Sequence, residues 1–142
     1  MLWAVNQQIQ YNQSTDQIVN LLRDSFKIYV STTRMTSFKE IIAQKYIPAY
    51  KEIIARINES KLIHIDETIA KIKQIDGYVW VFADYECVYY EFRETREPDF
   101  LKELLSEFKG VLISDFYTGY DGIGCEQQKC LVHLIRVLNE VF

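Results

Sequence analysis

The sequence contains few of the residues that interrupt regular structure, with 5 glycines and 2 prolines in 142 residues. This scarcity excludes collagen-like and low-complexity chains, and a charged fraction of 25% beside a hydrophobic fraction of 49% is ordinary for a globular protein. Three cysteines are an odd number and too few for a secreted disulfide scaffold. The composition therefore predicts one globular domain, or one domain with a helical attachment, in a reducing compartment.

The sequence also lacks a long apolar run and a basic, apolar leader. Its longest stretch without charge, residues 2–15, is rich in Asn and Gln. A membrane-spanning helix needs about 20 consecutive apolar residues. We therefore expect a soluble protein of the cytoplasm that does not enter a membrane.

Charge is unevenly distributed along the chain. Residues 1–61 contain 8 basic and 5 acidic residues, whereas residues 62–142 contain 8 basic and 15 acidic ones. The front therefore has a net charge of +3 and the back a net charge of −7. This difference indicates two units with different partners, of which the basic front is the one suited to nucleic-acid phosphates.

The first 60 residues show the spacing of helices. Apolar residues three and four apart predict a helix over 15–26, and Ser31 is placed to cap a second helix over 31–46. A third helix is predicted over 48–58, because Pro48 suits the first turn of a helix and not its interior. Helix, short turn and capped helix is the layout of a helix-turn-helix, although an ordinary helical hairpin has the same pattern.

The pattern changes to that of strands after Lys61. Strands are predicted over 62–72, 78–83 and 87–92, with a hairpin turn at Asp76-Gly77. A helix beginning at Pro98, a short buried strand over 111–113, and a segment over 130–138 that passes from strand to helix complete the chain.

This order of elements predicts an α/β fold of the ribonuclease-H-like kind. Its mixed sheet would contain a three-strand antiparallel meander plus parallel strands, and a helical region would precede it. In that plan the first and fourth strands are parallel neighbours.

Two aspartates, Asp66 and Asp115, lie at or near the ends of apolar strands. The predicted fold would bring them to one edge of the sheet. Two close carboxylates repel each other, and a hard divalent cation such as Mg²⁺ offsets that repulsion. Strand-end aspartates also commonly form turns, and the spacing alone is equally consistent with that simpler role.

Four segments in order, IHIDET, GYVWVF, GVLISDFYTGYDG and QQKCLVHLIR, resemble the catalytic-core motifs of DDE transposases, and most closely those of the insertion-sequence-66-like group. The resemblance covers residues 62–142. It implies that Asp66 and Asp115 are the first two acids of the catalytic triad and ligands of the metal. It also implies a helical, helix-turn-helix-like region over 1–60 and a catalytic core over 61–142, incomplete at its C-terminus.

Cys130 and His133 match the cysteine–histidine signature that follows the second aspartate in many such transposases. Their role is open, since local packing on the last helix explains them equally well. Together with Cys125 they offer zinc only three ligands, whereas structural zinc prefers four.

The function that the resemblance implies is DNA transposition. The complete enzyme would cleave and join phosphodiesters at transposon ends, with two Mg²⁺ (or Mn²⁺) ions held by three carboxylates. It would act as a homo-oligomer on transposon-end and target DNA. We expect Thr33, Arg34 and Lys39 to contact DNA, because a capped, polar helix start and cationic side chains suit phosphates and groove edges.

The third acid of the triad is not identifiable in the sequence. It is normally a glutamate on a later helix, and Glu140 follows His133 too closely. We therefore expect this chain alone to bind metal weakly and not to cut DNA. Two alternatives remain: a ribonuclease-H-like nuclease or resolvase, and a non-catalytic DNA-binding relic.

Overall fold

The computed structural model describes residues 1–72 and 74–141, which divide into two compact units, Met1–Ala49 and Tyr50–Phe142. The helices and strands run in chain order as α1 (Leu2–Gln10), α2 (Thr15–Phe26), α3 (Thr32–Glu59), β1 (Leu62–Ile72), β2 (Ile75–Ala83), β3 (Val88–Arg93), α4 (Asp99–Leu104), β4 (Val111–Ser114), β5 (Glu126–Lys129) and α5 (Leu131–Val141). A short 3₁₀ helix, Thr118–Gly122, lies between β4 and β5. No helix in the described part of the chain is long and apolar enough to cross a membrane.

The first unit is helical and has a small core of its own. Buried Ala4, Ile18, Leu22 and Met35 form this core. Helix α2 has the predicted bounds because Ser14 and Gln17 form a capping box, each side chain accepting the other residue's backbone N–H. The boundary between the two compact units falls within α3, between Ala49 and Tyr50. The division of the chain into functional regions at residue 60 stays a prediction.

Helix α3 begins as predicted but is longer. The hydroxyl of Ser31 accepts the backbone N–H of Arg34 at 3.2 Å, as an N-cap does. The prediction of a separate helix from Pro48 is wrong, because α3 is continuous from Thr32 to Glu59 with Pro48 inside it. Residues 43–50 are all exposed, so water can satisfy the backbone carbonyl that Pro48 leaves without a donor.

The second unit contains a five-stranded sheet in the order β3-β2-β1-β4-β5. Strands β1, β2 and β3 form an antiparallel meander, and β4 pairs in parallel with both β1 and β5. The predicted ribonuclease-H-like sheet is therefore confirmed, including the parallel pairing of its first and fourth strands.

The first hairpin turns earlier than predicted. Ile72 pairs with Ile75, and Asp76 and Gly77 are already inside β2. Glycine is needed at position 77 for packing and not for the turn, because a Cβ atom there would come within 2.7 Å of the Phe92 ring on β3. The prediction of an Asp76-Gly77 turn is therefore wrong.

One face of the sheet carries the main core. Ile63 and Ile65 of β1 pack with Trp80 and Phe82 of β2. Leu101 of α4 belongs to the same cluster, as do Ile53, Ile54 and Ile57 near the end of α3. Burial of this apolar face holds the register of β1, since a slip of one residue would exchange its two faces.

The last strand is also displaced from its predicted position. Strand β5, Glu126–Lys129, lies before Cys130, and residues 131–141 are entirely helical. No apolar alternation marks β5, because its four residues are all polar. The prediction that residues 130–138 begin as a strand is wrong.

Candidate catalytic site

Asp66 and Asp115 lie just beyond the paired residues of β1 and β4. The ladder between these parallel strands ends at the pair His64↔Ile113. Asp66 and Asp115 come two residues later on their two strands, so the parallel pairing leads both to the same edge of the sheet. Paired neighbouring strands lie about 4.8 Å apart, so the two aspartates follow adjacent positions at this edge of the sheet.

Both aspartates belong to the side of the sheet opposite the main core. On β1, Ile65 is buried while Asp66 is exposed, as alternation requires. On β4, Ser114 is buried, and Asp115, which follows it, is partly exposed. His64 is exposed on the same side of β1 as Asp66.

Each carboxylate accepts a hydrogen bond from nearby backbone. Asp66 Oδ1 lies 3.0 Å from the backbone nitrogen of Glu67, and Asp115 Oδ1 lies 2.9 Å from that of Tyr117. The second contact is the turn-forming role that the sequence left open for Asp115. Because a carboxylate has two oxygens, this role leaves Asp115 free to accept another partner.

The donor set suits a hard divalent cation. Carboxylate oxygens are the ligands that Mg²⁺ and Mn²⁺ prefer, and Mg²⁺ commonly takes one or two carboxylates and keeps several waters. Within residues 1–72 and 74–141, no group of three or more His, Cys, Asp or Glu side chains is placed to hold a metal ion. Glu140, on α5, therefore does not complete the pair.

Cys130 and His133 lie at the start of α5, next to this site. The backbone N–H of Cys130 donates to the carbonyl of Ser114 at 2.7 Å, which joins the beginning of α5 to the end of β4. Cys125, Cys130 and His133 are each partly buried, and the described residues form no zinc cluster around them. This contact involves only the backbone of Cys130, so the role of the Cys130 and His133 side chains stays open.

The sequence interpretation missed a buried carboxylate beside Asp66. The side chain of Glu67 is only 3% exposed and pairs with Arg96, whose Nε lies 2.8 Å from Glu67 Oε1. A second guanidinium nitrogen of Arg96 donates to the same oxygen, and the hydroxyl of Tyr120 donates to Oε2. The sequence did contain a signal for this buried carboxylate, because Glu67 follows Ile63 and Ile65 in the alternation of β1 and so faces the core.

Tyr117 completes a group that we call the Glu67 cluster: Glu67, Arg96, Tyr117 and Tyr120. The Arg96 guanidinium lies 4.1 Å from the centre of the Tyr117 ring, and the Tyr117 hydroxyl donates to the Arg96 carbonyl at 3.0 Å. The rings of Tyr117 and Tyr120 meet edge to face with centroids 5.6 Å apart.

The electrostatics of the cluster keep its donors protonated. Burial, and then the hydrogen bond to Glu67, raise the pKa of Tyr120 above its usual value of about 10. The hydrogen bond to Glu67 also raises the pKa of Arg96. Tyr120 is fully buried.

The three residues expected to contact DNA lie early in α3. Thr33 and Arg34 are in its first turn, Lys39 follows, and all three side chains are exposed. They belong to the first compact unit and not to the unit that carries Asp66 and Asp115.

The strand order, with an aspartate on the first strand and another just after the fourth, defines a ribonuclease-H-like protein. The family model described as "Transposase IS66 family" matches residues 3–142. The chain therefore belongs to the IS66 family of transposases, as the four motifs predicted. No curated protein sequence matches it significantly.

Several solved structures are similar to part of the chain, including the following two. One is the simian T-cell lymphotropic virus intasome in complex with PP2A regulatory subunit B56 gamma, with 12% identity, a TM-score of 0.42, and coverage of 56% of this chain and 37% of the other. The other is the HTLV-2 integrase catalytic core domain in complex with magnesium, with 13% identity, a TM-score of 0.40, and coverage of 55% and 64%. This chain thus covers less than two thirds of either.

Proposed function

We propose that this chain supplies the first two catalytic carboxylates of a DDE-type transposase, which cleaves and joins phosphodiesters at transposon ends. The observation that supports the proposal is the parallel pairing of β1 with β4 in a member of a transposase family, because the last pair lies two residues before both Asp66 and Asp115. Both residues also lie on the accessible side of the sheet.

Asp66 and Asp115 would hold Mg²⁺ or Mn²⁺, with two ions in the complete enzyme. When bound, such a metal activates the attacking hydroxyl or water and stabilises the leaving oxygen of an in-line displacement. The two carboxylates would be the metal's protein ligands, and both are at least partly exposed to solvent. We expect binding by this chain to be weak, because the described residues supply two carboxylates and no third.

Manganese titration of the 142-residue chain tests this proposal. We expect weak binding, detected by calorimetry, that is lost in Asp66→Asn and in Asp115→Asn. Asp76→Asn is the matched control, because Asp76 is an exposed aspartate on the hairpin of the same two strands. Binding that survives both site substitutions would exclude a metal site at these residues.

A plasmid-nicking assay with the same variants separates the alternatives. We expect no metal-dependent cleavage by the chain alone, since an in-line displacement loses on the order of 10²-fold in rate for a misplacement of about 1 Å. Robust cleavage lost in both site variants would instead indicate a nuclease complete within this chain. DNA binding without any metal dependence would favour the non-catalytic relic.

We propose in addition that the start of α3 contacts DNA through Thr33, Arg34 and Lys39. The exposure of these side chains beside a capped helix start supports this role. Arg34→Ala and Lys39→Ala should each weaken duplex binding and lower its salt dependence by about one phosphate contact. Arg23→Ala is the control, because Arg23 already pairs with Asp24 on α2 at 2.8 Å. Unchanged affinity and salt slope in both test variants would leave these residues a structural role only.

For the complete enzyme we propose a homo-oligomer acting on transposon-end and target DNA in the cytoplasm, with a helical region over 1–60 and a catalytic core over 61–142. Two ends must be held together for joining, and one subunit per end meets that need. Sedimentation of the protein with and without an end-sequence duplex tests the assembly. A single subunit on paired ends would contradict it.

A further inference from the structure

The β1–β4 ladder stops before it reaches the two aspartates. Its last pair is His64↔Ile113, and β4 itself ends at Ser114. Backbone pairing therefore does not fix how far apart Asp66 and Asp115 lie. Two neighbouring carboxylates repel each other, so contacts beyond the ladder must hold them together in the absence of a cation.

The Glu67 cluster provides such contacts on the β1 side. Glu67 follows Asp66 directly, and its backbone N–H donates to the Asp66 carboxylate. Since neighbouring residues of a strand point to opposite faces, anchoring the Glu67 side chain in the core fixes the direction of Asp66. The anchor is strong, because the 3%-exposed carboxylate receives charge-assisted hydrogen bonds from Arg96 and another from Tyr120.

The same cluster reaches Asp115 on the β4 side. Arg96 accepts the Tyr117 hydroxyl at its carbonyl and covers the Tyr117 ring with its guanidinium. Tyr117 in turn donates its backbone N–H to Asp115 at 2.9 Å. Contacts therefore run without a break from Asp66 through Glu67, Arg96 and Tyr117 to Asp115.

We infer that Glu67 is a positioning residue that, through Arg96 and Tyr117, sets the separation and orientation of Asp66 and Asp115. The inference rests on the proposed function insofar as those aspartates bind the metal.

The chain contains a matched control for Glu67. Trp80 of β2 pairs with Glu67 on one side and with Glu91 of β3 on the other. Glu91 is 20% exposed, pairs with Arg93 at 3.0 Å and accepts the Tyr89 hydroxyl at 2.6 Å. It has the same chemistry on the same face of the sheet, and none of these contacts leads to an aspartate of the site.

The experiment compares Glu67→Gln with Glu91→Gln in the full chain by two measurements. The first is hydrogen exchange at the Tyr117 backbone amide without metal, which reports the Asp115 contact. The second is Mn²⁺ affinity at a temperature where both variants are folded. We expect Glu67→Gln to speed Tyr117 exchange and to weaken Mn²⁺ binding by about tenfold or more, as loss of a contact behind a metal ligand does. Glu91→Gln should change neither.

The outcomes distinguish this inference from the proposed function. If Asp66→Asn and Asp115→Asn abolish Mn²⁺ binding but Glu67→Gln leaves affinity and Tyr117 exchange unchanged, the positioning role is overturned and the metal site stands. If Mn²⁺ binding is absent, or survives the aspartate substitutions, the metal site is overturned and the role of Glu67 towards it falls too. Equal effects of Glu67→Gln and Glu91→Gln on both measurements would show that each glutamate only stabilises the fold, and would overturn the positioning role.

Discussion

Two groups of similar chemistry flank Trp80, and they differ in which parts of the chain they connect. The Glu67 cluster is one. The other, here called the Glu91 cluster, consists of Glu91, Arg93, Tyr89 and Tyr50. Each contains one carboxylate, one guanidinium and two tyrosines, and each guanidinium lies over an aromatic ring.

The Glu91 cluster is mostly local. Tyr89 and Arg93 are each two residues from Glu91 on the same strand. Only Tyr50, which belongs to α3, is distant in sequence from Glu91. In the Glu67 cluster the partners lie 29 and 53 residues away in sequence. The difference teaches that similar side-chain chemistry can act mainly along one strand or can join a strand to distant loops, depending on where its partners lie.

Removal of the residue between the clusters should have the largest effect. Trp80 is fully buried, and Trp80→Ala should lower the free energy of unfolding by about 3–5 kcal/mol through lost burial and a cavity. Urea denaturation measures this loss. Tyr85→Ala, at a 92%-exposed aromatic of the same unit, should change it by less than about 0.5 kcal/mol, and a similar loss in both variants would contradict the assigned core.

Truncation of Glu67 should lower the free energy of unfolding more than truncation of Glu91. Glu67→Ala leaves Arg96 and the buried Tyr120 hydroxyl without their acceptor, so we expect a loss of about 2–3 kcal/mol. Glu91 is 20% exposed, so Glu91→Ala should cost only about 1 kcal/mol. Equal losses in urea denaturation would show that the buried contacts of Glu67 stabilise the fold no more than those of Glu91 do.

A glycine substitution should disturb only the Tyr117 side of the Glu67 cluster. A Cβ atom at Gly119 would clash with the Tyr117 ring, whereas one at Gly124 would meet nothing within 4 Å. We expect Gly119→Ala to cost about 1–2 kcal/mol through overpacking. Gly124→Ala, the control, should be nearly neutral in the same denaturation assay, and equal behaviour would argue against close packing at Tyr117.

Removal of the Tyr120 or Tyr89 hydroxyl should change the free energy of unfolding at neutral pH least of all these substitutions. Burial and a hydrogen bond to glutamate raise the pKa of Tyr120 and of Tyr89 in the folded chain. Their contribution to stability is therefore complete below the unfolded value of about 10 and is lost as the pH rises above it.

Tyr120→Phe and Tyr89→Phe should each reduce this alkaline loss. Urea midpoints at pH 8 and pH 11 measure it, and the exposed Tyr85→Phe is the control. An alkaline loss that both variants leave unchanged would contradict the raised pKa values.

Much of the fold could be predicted from sequence because its signals are local. The helix over 15–26 has a capping box and a clear apolar stripe, and the run 78–83 has the unbroken apolar pattern of a central strand. The strand order followed from recognising the ribonuclease-H-like plan, which placed Asp66 and Asp115 on neighbouring parallel strands.

The errors arose where context overrides a local signal. Pro48 lies inside a helix whose surrounding residues are exposed, so water can reach the carbonyl that Pro48 leaves without a donor. Gly77 serves the approach of Phe92, and β5 has no apolar residue to mark it. The partners of Glu67 lie too far away in sequence for any local pattern to indicate them.

The most direct test of the account is a crystal structure of the chain soaked with Mn²⁺, with the metal located by anomalous scattering. We predict a peak between the carboxylates of Asp66 and Asp115, with Glu67 still bound to Arg96 and Tyr120. A peak at other residues, or two aspartates too far apart to share an ion, would contradict the catalytic assignment.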